Sequence, residues 1–209
     1  MASHKELLEK VSSYYTKKVL QFGTTPAGVD WNSYESQELR FEQLLKIIKK
    51  PAEHFTVLDY GCGYGSMYKY FQQRYKDFEY LGFDISEEMI KTASEIHLPN
   101  DNVQWKTHIL EQDRKDYVVA SGILNVKQET PAEIWDGFVI DIFRELNKYS
   151  TKGFAVNLAS TYADADERKE NFYYADPCYL FDFCKRNFSK YVTLLHDYSL
   201  GEFTLLVTK

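Results

Sequence analysis

The chain of 209 residues is poor in cysteine, in basic runs and in long apolar stretches. Its three cysteines, Cys62, Cys178 and Cys184, are odd in number and form no CxxC pair. That argues against a disulfide framework and points to a reduced, cytoplasmic setting. No run of lysine or arginine is present and the net charge is −6, so no nucleic-acid partner is expected, because phosphate neutralisation supplies most of such binding. No apolar stretch approaches the ~20 residues that cross a bilayer, and the opening residues Met1 to Glu6 lack the apolar core of a signal peptide. Metal-ligand spacings of the H-E-x-x-H type are missing too, so no metal is expected.

Aromatic residues are plentiful, with 17 Tyr and 14 Phe among them. Tyrosine joins an apolar body to a polar tip, which suits the wall of a partly wet pocket as well as the rim of a core. The length fits one sizeable domain, and 44% hydrophobic with 27% charged residues is an ordinary globular balance. The most informative stretch is Val57-Leu58-Asp59-Tyr60-Gly61-Cys62-Gly63-Tyr64-Gly65, followed by Tyr80-Leu81-Gly82-Phe83-Asp84. An apolar run ends in an acid, three alternate glycines follow, and after a helical pattern a second apolar run ends in another acid. This reads as strand, glycine turn, helix and strand, with Asp84 lying 25 residues after Asp59.

Dinucleotide-binding turns space their glycines G-x-G-x-x-G and set a pyrophosphate on the helix N-terminus. Here the form is D-x-G-x-G-x-G, with no basic residue in the turn and an acid before it. Asp59 would repel a pyrophosphate and suit a ligand with a cationic end. The motif resembles that of the class I S-adenosylmethionine-dependent methyltransferases. The resemblance implies S-adenosyl-L-methionine as cofactor, laid along Gly61, Cys62, Gly63 and Gly65. Asp84 then accepts from the ribose, Ile85 and Met89 follow it in the donor site, and Asp59 acts towards the amino group. Asp84 also precedes Ser86 closely enough to serve as a helix cap, and both readings stand. The family's adenine contact follows the third strand, where no acid falls in register; Ile109 or Leu110 is the expected contact. Ser121 follows the fourth strand, where the family places residues facing the methyl.

The expected fold is α/β: a Rossmann-like, doubly wound, seven-stranded sheet with the last strand antiparallel and an N-terminal helical cap. Strands are expected at Thr56–Asp59, Glu79–Phe83, Val103–Lys106, Tyr117–Ala120, Gly153–Leu158, Tyr191–Leu195 and Phe203–Thr208. Leu8, Val11, Tyr15 and Val19 space out one helix, and Phe41, Leu44, Leu45 and Ile48 a second. Thr130-Pro131-Ala132-Glu133 reads as a capping box with proline at the first helical position. With no linker or repeat, one domain is expected, residues 1–52 as cap or lid and 53–209 as core.

The segment Gly28 to Phe41 is similar to one in small bacterial methyltransferases. Within it Arg40 has two readings, a fork on the donor's carboxylate or an ion pair with Glu38 or Glu35. Trp31 either covers a ligand or packs a helix on the sheet. For the acceptor, Tyr173 and Tyr174 follow the fifth strand and His196 the sixth, at the sheet's ligand-facing end. They are the candidates to hold and deprotonate it, His196 through its titration range. The reading is methyl transfer to oxygen or nitrogen of a small-molecule acceptor. The rivals are methylation of a protein or peptide side chain, and a non-catalytic S-adenosylmethionine-binding protein. Nothing in the sequence sets the oligomeric state.

Overall fold

Val57-Leu58, Val118-Val119 and Ala155-Val156 are pairs of fully buried neighbours, and a strand turns such neighbours to opposite faces. Strands of this kind need cover on both sides, which is the signature of a central parallel sheet. The computed structural model describes residues 4–209. Its strands are β1 (Phe55–Tyr60), β2 (Phe78–Phe83), β3 (Val103–Lys106), β4 (Lys115–Ser121), β5 (Ser150–Ala159), β6 (Tyr191–Leu195) and β7 (Glu202–Thr208). They form one sheet in the order β3-β2-β1-β4-β5-β7-β6. Strands β1 to β5 pair in parallel, and β7 runs antiparallel between β5 and β6. This is the expected doubly wound arrangement with the last strand reversed. β4 and β5 start earlier than their apolar runs because Lys115 pairs with Ser150 before a bulge shifts the register.

Six helices accompany the sheet: α1 (His4–Phe22), α2 (Tyr34–Leu45), α3 (Ser66–Arg74), α4 (Glu87–Ile96), α5 (Ala132–Tyr149) and α6 (Pro177–Asn187). Phe41 and Leu44 of α2 and Met67 and Phe71 of α3 cover one face through Val57, Val119 and Ala155. Leu7 of α1, Phe138 and Ile142 of α5 and Leu180 of α6 cover the other through Leu58, Val118 and Val156. Among the described residues no helix is long and apolar enough to cross a membrane.

Local chemistry sets the helix starts. The Ser86 hydroxyl accepts from the Met89 amide at 3.3 Å, and Asp176 accepts from the amides of Cys178 and Tyr179. Ser33 and Ser36 cap α2 reciprocally. The capping box expected at Thr130 does not form. Thr130 is buried and closes a turn through its amide to Lys127 O, which leaves Pro131 at the cap position with no side-chain acceptor.

Between β3 and β4 the chain makes only a single 3-10 turn, Glu111–Asp113. Helix α1 instead lies over the ends of β2 and α5. Ser12 Oγ donates to Ile85 O at 3.3 Å, the hydroxyls of Thr16 and Ser86 meet at 2.7 Å, and the His4 ring lies 5.1 Å from Phe138. The segment after β4 is pinned by Trp135, whose indole N–H donates to Leu124 O at 2.8 Å from a fully buried position. Trp135→Phe removes that bond and part of the packed volume. It should lower unfolding free energy by about 2–4 kcal/mol in urea titrations; a loss below ~1 kcal/mol would show that this anchor is dispensable.

Candidate functional site

The three glycines after β1 hold φ of 82° at Gly61, 54° at Gly63 and 80° at Gly65, a region that favours glycine. Their turn spends its amides internally. Gly61 and Cys62 both donate to Phe83 O, at 2.7 and 2.9 Å, and Gly65 donates to Cys62 O at 3.0 Å. Gly63 donates to Asp84 Oδ2 at 2.9 Å. A turn that cradles phosphate points such amides outward at the ligand. This one stitches β1 to the tip of β2 and leaves no anion nest.

Above the turn lies a crevice of about 1020 Å³, counting its open mouth. Gly61, Cys62, Gly63 and Asp84 form one side, and Ser121, Gly122 and Ile123 at the end of β4 form the other. Leu8, Val11, Ser12 and Tyr15 of α1 line it as well, together with Trp31 and with Val29, which packs in one cluster with Tyr15. Phe138 and Ile142 line its apolar end. Among the described residues, no lysine, arginine or histidine lines it. Its acids are Asp59 and Asp84, and both are buried.

Asp84 Oδ1 accepts from the Ser86 amide at 2.9 Å while Oδ2 takes Gly63, so one carboxylate both braces the start of α4 and faces the crevice. Each oxygen keeps a second lone pair for another donor. Burial raises its pKa to about 6, against the two amides that pull it down. Asp59 accepts from the Tyr80 hydroxyl. Burial, with the Asp84 charge adding to it, raises Asp59 to about 7 in spite of that bond. Burial also pushes the Cys62 thiol up, and its S–H donates to Gly63 O at 3.4 Å. Ser121 Oγ is buried with no hydrogen-bond partner. A polar, partnerless atom on the wall and a turn without an anion nest fit a phosphate-free nucleoside bearing a cationic centre and an amino-acid tail. They do not fit a nucleotide.

Asp59, Gly61, Cys62, Gly63, Asp84, Ile85, Met89, Ser121 and Trp31 thus come together on one crevice. Gly65 does not line it: a Cβ there would come within 2.5 Å of Trp105 and 2.8 Å of His97, so aromatic packing behind the turn requires this glycine. Ile109 packs against the core and Leu110 is exposed; neither lines the crevice. The Arg40 fork is taken by Glu202, with Nε to Oε2 at 2.9 Å and Nη2 to Oε1 at 2.7 Å, rather than by Glu38 or Glu35.

The three acceptor candidates lie outside the crevice. The Tyr173 hydroxyl donates to Asp136 at 2.6 Å, and burial with that carboxylate raises its pKa. The Tyr174 hydroxyl accepts from the Lys169 amide at 2.7 Å. His196 is exposed, its ring 5.9 Å from Tyr162. Gly122 and Ile123, which follow Ser121 where the family places residues facing the methyl, also line it, as do Tyr15 and Phe138, which the sequence marked only as parts of apolar helix stripes. The apolar spacing of α1 was visible, but the surface it covers is set by tertiary packing alone.

Residues 58–139 match the family described as a methyltransferase domain. The Mycobacterium tuberculosis protein Rv1506c, provisionally assigned as a methyltransferase, is 40% identical over 162 residues, covering 78% of this chain and 98% of its own. Among solved structures, DhpI in complex with SAH superposes with a TM-score of 0.64 at 16% identity, over 98% of this chain and 97% of its own. The Synechocystis magnesium protoporphyrin IX methyltransferase with bound SAM gives 0.60 at 15% identity, over 100% and 99%. The Burkholderia thailandensis 1,6-didemethyltoxoflavin-N1-methyltransferase gives 0.61 at 16%, over 100% and 90%. The relative's identity over nearly its whole length, the matched domain and the reversed last strand agree: the chain belongs to the class I S-adenosylmethionine-dependent methyltransferases.

Proposed function

We propose that this methyltransferase acts on a small molecule, at a nitrogen lone pair or at an oxygen already ionised at neutral pH. The observation that carries the reading is a crevice whose only acids, among the described residues, are two engaged carboxylates and which no described histidine or lysine lines. An aliphatic hydroxyl needs a positioned base as the methyl arrives, whereas an amine does not. Enclosure by α1, Val29 and Trp31 supports a compact acceptor over an extended peptide. The toxoflavin-precursor and protoporphyrin enzymes, named for small-molecule substrates, are compatible neighbours in fold.

When bound, S-adenosylmethionine supplies an electrophilic methyl on a sulfonium. The chain's task is then alignment and exclusion of water. In this reading Gly61 and Gly63 lie along the donor with no side chain in the way. Asp84 accepts from the ribose hydroxyls with its free lone pairs, and Ser121 Oγ meets the polar tail. Ile85, Met89 and the side chains of α1 enclose the base. The aromatic walls and Asp59 favour the positive sulfonium over a neutral thioether.

The test is release of the demethylated product, SAH, in the presence of amine, phenol and aliphatic alcohol pools. Turnover should appear with amines or acidic phenols; turnover confined to aliphatic alcohols would refute the reading. The turn itself is tested by Gly63→Ala. A Cβ at Gly63 would fall within 3.0 Å of Val29 at a positive φ, on the lining of the crevice. SAH affinity should fall by at least about tenfold, with stability lowered by roughly 1–2 kcal/mol. Wild-type affinity in calorimetry would remove Gly63 from the donor site.

A pH dependence follows from Asp84 and Asp59. Their folded pKa values lie above those of the unfolded chain, so the folded state binds their protons more tightly. Ligand-free stability from these groups is full near pH 4 and declines as pH rises through about 6 and 7. Hydroxyls donating to ionised Asp84 favour its charged form and offset that decline. The rise in melting temperature on adding SAH should therefore be larger at pH 8 than at pH 5. An equal or reversed difference would remove Asp84 as the ribose acceptor.

A further inference from the structure

We infer that the buried Arg40–Glu202 pair is a positioning device for the donor crevice, acting through Trp31 and Gly122. Arg40 and Glu202 do not line the crevice, yet both walls at the end of β4 lead back to them. The guanidinium spends all its nitrogens: Nε and Nη2 fork onto Glu202, and Nη1 donates to Ser36 O at 2.8 Å. Its flat face lies under the Trp31 ring, 3.8 Å from the ring centroid. Trp31 in turn packs on bare Gly122, where a Cβ would fall 2.2 Å from the indole's six-membered ring.

The second branch runs through Asn157. Its Nδ2 donates to Glu202 Oε2 at 3.0 Å, and its Oδ1 accepts from the Gly122 amide at 2.8 Å. Gly122, with φ of 71°, is thus held by a hydrogen bond from one side and by an indole from the other. One ion pair, with both side chains about 8% exposed, fixes both contacts. A pair serving only to tie α2 to β7 would need neither the stacked indole nor the amide bridge to the crevice wall. Arginine is required because lysine keeps the charge but has no flat face to carry the ring. Through this relay the carboxylate on β7 sets where Trp31 sits against the donor.

The inference rests on the donor placement proposed above, and SAH binding separates the two. SAH is titrated by calorimetry into wild type, Trp31→Leu, Arg40→Lys and the double variant, each checked by thermal melting. Trp31→Leu and Arg40→Lys should each weaken SAH by about five- to tenfold, from loss of the covering ring or of its support. The double variant should be no weaker than Trp31→Leu alone, because Arg40 itself reaches the donor through the ring, while the Asn157 branch hangs on Glu202, which neither change removes. Without SAH, acrylamide quenching of tryptophan emission should rise on Arg40→Lys but not when the same change is made in Trp31→Leu. Multiplied losses in the double variant, or unchanged quenching, would overturn the relay. Trp31→Leu leaves the ion pair intact and so carries the test if Arg40→Lys does not fold: wild-type SAH affinity there overturns the inference while leaving the donor placement standing. A folded wild type that binds no SAH would defeat the donor placement, and this inference with it.

Discussion

At the tip of β2 one carbonyl, Phe83 O, receives the amides of both Gly61 and Cys62, and the next residue's carboxylate receives Gly63. A loop leaving a buried strand must place its amides somewhere, and a lost partner there costs as much as a lost hydrogen bond. By turning them towards β2 the chain fixes the glycine turn, the start of α4 and the orientation of Asp84 together. The positive φ values follow from that choice, since the backbone has to double back to reach Phe83. The floor of the site is set by hydrogen bonding between the turn and the tip of β2.

The same arrangement gives the crevice its electrical character. Two carboxyl groups sit among aromatic and aliphatic walls, with no cationic side chain on the lining among the described residues. Desolvation raises both, so each is held less comfortably ionised than in water. A positive ligand relieves part of that penalty, and a phosphate would aggravate it. Discrimination between a sulfonium nucleoside and a dinucleotide therefore lies in what the turn withholds as much as in what Asp84 offers.

Much of this was legible in the sequence because it is local. The strand, three glycines, helix and second acid lie within one βαβ unit, and the reversed last strand was implied by the family resemblance, which the closing pair of apolar runs fits. Gly65 shares the pattern of its neighbours, yet it serves Trp105 and His97, which approach from a helix end and a strand that the motif does not contain. Arg40 was singled out, but its partner lies 162 residues away, and no periodicity links the two. Tyr173 and Tyr174 follow the correct strand, but their hydroxyls are satisfied by Asp136 and the Lys169 amide, partners visible only in three dimensions. Position at a strand end told where a residue lies along the sheet and left its direction open.

The crevice is built from both extremes of the described chain, and this bears on how the protein is made. Helix α1 leaves the ribosome before Ile85 and Phe138, the surfaces it will cover, have been synthesised. Arg40 follows soon after, and its carboxylate partner arrives only with β7, the last strand of the sheet. Until then an arginine destined for burial has no counter-charge, and Gly122 has no fixed Asn157 beside it. Domains fold as units during synthesis, and contacts between distant segments form late. A nascent chain can lay down β1 to β5 and the glycine turn before β7 brings Glu202 to Arg40, so the ion pair beneath Trp31 closes only once that strand is in place.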